Sequence, residues 1–61
     1  MEKIREKFLK IYFNLLEKVR EEIVVVVEDK PFSWNSAYFE VKNDTDTGKK
    51  ILNMLVELKI I

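Results

Sequence analysis

Sixty-one residues, 48% of them hydrophobic, with eleven basic and eleven acidic side chains and neither cysteine nor histidine, describe one small ordered domain spanning 1–61. That composition excludes a disulfide framework and weighs against a zinc staple, because the usual structural ligands are missing. Zero net charge weighs against broad wrapping on nucleic acid, and no apolar run reaches the roughly 18 residues a membrane span needs.

A chain this short buries only about 60% of the surface its unfolded form exposes, so it needs unusually good packing or association with another chain. The start, Met1 to Lys7, is charged at once and lacks a signal peptide's apolar segment, so a cytoplasmic protein is expected. Glutamine is absent and lysine and glutamate dominate the charge, a thermophile-like composition.

Residues 2–22 read as one long helix. Ile4, Phe8, Ile11, Leu15 and Val19 fall on one stripe, and Leu9, Tyr12 and Leu16 widen it to about 160°, more than an ordinary surface helix requires. Glu6 and Lys10 stand at i,i+4 in the favourable order. The helix should stop near Glu22, where β-branched residues take over.

Ile23 to Glu28 then reads as a strand containing Val24, Val25, Val26 and Val27. Successive strand side chains point to opposite faces, so an unbroken valine run predicts cover on both sides. Asp29-Lys30 is the expected tight turn, with Pro31 to Ser33 as a short return strand on an edge, since proline cannot donate to a ladder. Trp34, Ala37, Tyr38 and Val41 match helical spacing behind Ser33 as N-cap. The alternative is a second strand at 37–42. It needs a connection longer than hairpins normally have, which favours the helix.

Asn43 to Gly48 forms a polar turn in which Asp46 or Thr47 caps a final helix. Its apolar residues, Ile51 to Leu58, cover about 200° of the circumference. Ile60 and Ile61 close the chain and are expected to dock on their own core or across a subunit boundary. The predicted fold class is α+β: long N-terminal helix, short antiparallel β-hairpin, short helix, C-terminal helix.

Chemistry is harder to find. Asp44, Asp46 and Gly48 suggest a calcium loop, but the glycine falls one position early and Leu55 stands where a bidentate glutamate belongs. Helix capping explains them. No catalytic constellation, metal site or cofactor motif is expected, because the commonest acid–base and nucleophilic groups are missing and one glycine cannot build a phosphate loop. Phe32, Trp34, Tyr38 and Phe39 make an aromatic cluster whose expected place is the core or a dimer interface.

These features predict a homo-oligomeric interaction module without catalytic activity, its interface formed by Val24–Val27, Ile60 and Ile61. The alternative is a small nucleic-acid-binding or transcription-associated protein using Lys3, Lys7, Lys10 and Lys18, one face of the first helix. Glu6, Glu17 and Glu21 blunt that face. A different protein chain is a further possible partner; a membrane is not.

Overall fold

The computed structural model describes residues 2–61, in the order α1 (Glu2–Phe13), α2 (Glu17–Arg20), β1 (Ile23–Val27), β2 (Lys30–Ser33), α3 (Trp34–Lys42) and α4 (Asp46–Glu57). A helical N-terminal segment, an antiparallel two-stranded hairpin and two further helices make an α+β fold, as the hydrophobic pattern predicts. No helix among the described residues is long and apolar enough to cross a membrane.

The expected continuous helix over 2–22 is interrupted. Straight, those residues would reach about 30 Å, longer than the 26 × 26 × 22 Å extents of the whole molecule. The break comes at Asn14, whose side-chain amide donates to the carbonyl of Lys10 at 2.7 Å. Asparagine offers the backbone such local alternatives to a continuing helix. Leu16 then turns extended, at φ −69° and ψ 148°, and α2 starts in a new direction. Before the break, α1 buries Phe8 and Tyr12, one turn apart on the predicted stripe. Glu6 and Lys10 form no ion pair; among the described residues only Lys50 and Glu28 do, at 3.1 Å.

The hairpin turns at Glu28-Asp29, one residue earlier than expected. Both residues have positive φ, 51° and 65°, the signature of a type I′ turn that follows the twist of the strands. Val27 pairs with Lys30, Val26 with Pro31 and Val25 with Phe32; a bulge at Val24 precedes the Ile23–Ser33 pair. Val25, Val27 and Phe32 enter the core.

Residues 34–42 are helical, so the alternative strand at 37–42 does not form. Ser33 and Ser36 make a reciprocal capping box: the Ser36 N–H donates to Ser33 Oγ at 3.1 Å and the Ser33 N–H to Ser36 Oγ at 2.8 Å. The cap of α4 is Thr45 rather than Asp46 or Thr47, because its hydroxyl accepts the Gly48 N–H at 2.9 Å. Asp46 is left as the acidic residue of the first turn. At the far end Lys59 turns left-handed (φ 59°) and the Ile60 N–H returns to the Leu55 carbonyl at 2.9 Å. Ile61 packs against the core and Ile60 stands 38% exposed.

One core joins these elements: Phe8 and Tyr12, Val25 and Val27, Phe32, Ala37 and Val41, then Ile51, Leu52 and Leu55. Gly48 sets the approach of α4 to α3. A Cβ there would lie 2.5 Å from the Glu40 carbonyl oxygen and 2.8 Å from its carbon. The only glycine of the chain is therefore spent on a helix crossing, while the left-handed turn positions Glu28, Asp29, Asp44 and Lys59 carry side chains.

Candidate interaction surface

Strand alternation divides the valine run. Val25 and Val27 are 4% and 5% exposed and belong to the chain's own core. Val26 is 54% exposed, opposite the exposed Pro31, and Ile23 is 58% exposed at the strand's start. Val24, at the bulge, is half-buried. Cover on both sides is thus not what one chain provides: the inner face is closed and the outer face is open. A hairpin of two strands has a face to spare once α4 and the aromatic side chains fill the other.

The backbone divides as well. In a two-residue turn the flanking pair, Val27 and Lys30, is hydrogen-bonded, so the next pair, Val26 and Pro31, is not. Proline fits there because β1 asks no N–H of it. The N–H and C=O of Val26 therefore point away from β2, and no hydrogen bond from another element reaches them among the described residues. Beside the turn end of β1 runs an open groove of about 330 Å³, lined by Val27, Glu28, Lys50, Asn53, Met54 and Glu57. Its α4 residues recur at i, i+3, i+4 and i+7, one helical face turned towards the strand.

The predicted lysine face is split. Lys3, Lys7 and Lys10 stay together on α1 around a shallow depression that Glu6 shares. Lys18 lies beyond the break, where it lines a separate hollow with Glu17, Arg20, Glu21 and Asn35.

The aromatic cluster also forms differently from the expected one. Phe32 is buried, Trp34 stacks on Phe8 at 5.7 Å and Tyr38 stacks on Tyr12 at 4.3 Å, while Phe39 is 63% exposed. Helix α1 supplies the missing rings. Phe13 meets Tyr38 edge-on at 5.6 Å yet remains exposed, as does Leu16 at the break.

Both arginines of the chain escaped the sequence reading, and both serve helix C-termini. Arg20 donates from Nε to the Tyr12 carbonyl (3.2 Å) and from Nη2 to that of Phe13 (3.3 Å), with its guanidinium 4.6 Å from the centre of the Tyr12 ring. Arg5 donates from Nε to the Val41 carbonyl at the end of α3 (3.3 Å). Planar, multi-donor guanidinium suits exposed carbonyls better than ammonium does. No signal beyond their being the only arginines marks them.

No protein-family model, curated protein or solved structure matches this chain.

Proposed function

We propose that this chain is a cytoplasmic, non-catalytic interaction module that associates with itself through the outer face of its hairpin. The observation that carries the reading is Val26, more than half exposed in a β-branched strand whose opposite side chains are fully used. Ile23 and Pro31 extend the apolar surface around it. Two such faces stacked about a two-fold axis would bury on both sides what one chain buries on one. Other large apolar residues, among them Phe13, Leu16 and Phe39, also stand in water. For a domain near the lower size limit of independent stability, association is the economical way to cover such surface.

Sedimentation across roughly 1–100 µM, the range in which a modest interface forms, tests the reading. The wild type should dimerise, and Val26→Lys should weaken dimerisation at least about tenfold with an unchanged circular dichroism spectrum. A wild type that stays monomeric throughout would overturn the proposal.

The nucleic-acid reading ranks second. Lys3, Lys7 and Lys10 form no ion pair among the described residues, which leaves three cations for phosphate. The separation of Lys18 shortens the track, and Glu6 interrupts it.

A further inference from the structure

We propose that the free edge of β1, with the groove between it and α4, binds an extended segment of another protein as an added strand. The segment is apolar at alternating positions and carries lysine or arginine near both ends. The edge meets the first requirement of strand addition, a backbone donor and acceptor aimed outward: those of Val26 have no partner. The other edge of the hairpin is obstructed by Pro31, which has no N–H to offer, and carries Lys30 beside it. The groove supplies the second requirement, a pocket for alternate side chains, in the space between the turn end of β1 and Asn53, Met54 and Glu57 of α4.

Charge selects the occupant. Glu21 and Glu22 precede β1, Glu28 and Asp29 follow it, and Glu57 stands on the groove wall. The one lysine in the groove, Lys50, is paired with Glu28, which leaves Asp29 and Glu57 as the carboxylates at the turn end. A second copy fits this edge badly. Antiparallel self-pairing through Val26 brings the acidic Glu28-Asp29 turn of one copy beside the Glu21-Glu22 start of the other strand, like charge against like at both ends. A strand with basic ends meets no such obstacle. This surface is separate from the hairpin's outer face, so the two proposals stand or fall independently.

The test uses the ¹⁵N-labelled chain and a short peptide of alternating threonine and valine with paired lysines at each end. Binding should slow exchange of the Val26 amide roughly tenfold or more, with little change at Val25, whose N–H already faces β2. The peptide should still bind Val26→Lys, which keeps the backbone edge, and should fail to bind Val26→Pro, which removes the outward donor. The same peptide N-methylated on its threonines and valines alike should not bind the wild type, a control that does not depend on a variant's folding. Equal binding of a glutamate-ended peptide, or no protection of Val26 by the lysine-ended one, overturns the proposal. So does protection of the amide at position 26 that rises with protein concentration alone and persists in Val26→Lys, which would mean a second copy takes the edge.

Discussion

Two corners of this molecule begin alike and are finished differently. Helices α1 and α2 are joined by Asn14–Leu16, and α3 and α4 by Asn43–Thr45. Each corner opens with an asparagine whose side-chain amide donates to the carbonyl four residues back, Lys10 at 2.7 Å in one and Phe39 at 2.9 Å in the other. At the second corner the next residues complete the turn themselves. Asp44 turns left-handed, the N–H groups of Asp44 and Thr45 return to the carbonyls of Val41 and Glu40, and Thr45 caps α4 while its hydroxyl donates to the Glu40 carboxylate at 2.6 Å. At the first corner the Leu15 N–H returns to the Tyr12 carbonyl at 3.1 Å, but Leu15 and Leu16 offer no polar side chain and α2 has no side-chain cap. Arg20, reaching back from the end of α2, adds a second donor to Tyr12 and meets the Phe13 carbonyl. A corner can thus be closed by its own residues or by one that the fold returns to it.

The largest effect should come from crowding the self-contained corner. Gly48→Ala sets a methyl against the Glu40 backbone, which cannot yield as a flexible side chain could. A net loss of about 2 kcal/mol is expected once the better helix propensity of alanine is counted. That should lower the melting temperature by roughly 4–8 °C per kcal/mol, measurable by calorimetry. An unchanged melting temperature would show that the α3–α4 crossing is looser than the geometry requires.

Removing the borrowed cap should cost less and act locally. Arg20→Met keeps much of the side-chain bulk but loses two hydrogen bonds and the contact with the Tyr12 ring, together roughly 1–2 kcal/mol. Amide exchange should accelerate across 14–21 before it does in α3 or α4. Uniform acceleration would mean that the two corners are one cooperative unit rather than two.

The smallest effect should be a gain. Asp44 sits at φ 54° without a hydrogen bond from its side chain, a conformation in which glycine is unstrained. Asp44→Gly should raise stability by about 0.5 kcal/mol, seen as a higher urea midpoint at unchanged slope. A loss would show that the asparagine and threonine on either side do not set the turn by themselves.

The same contrast explains what could be read from the chain. The α3–α4 corner announces itself in Asn43 to Gly48, and the Ser33 cap of α3 is visible as well, because each device works within a few residues of its own sequence. The α1–α2 corner was missed: the apolar stripe runs through it unbroken, and a helix pattern continued to Val19 says nothing about the size of the molecule that must contain it. Candidate sites divide similarly. That the valine run would be a strand followed from β-branching, but which valines remain for a partner depends on register. Val25 and Val27 go inward, and Val26 is left outside. The aromatic cluster was drawn from neighbours in sequence, whereas Tyr12 and Phe8, far along the chain, are the rings that Tyr38 and Trp34 meet.

Residue chemistry alone determined the secondary-structure types, their order and the Ser33 cap of α3, because periodicity, β-branching and capping act over a turn or two. Tertiary structure decided the break after Phe13, the destination of both arginines, the use of the single glycine at a crossing and the division of the valines between core and solvent. Each of those depends on where distant segments meet once a limited core has to close, and no local pattern carries that information.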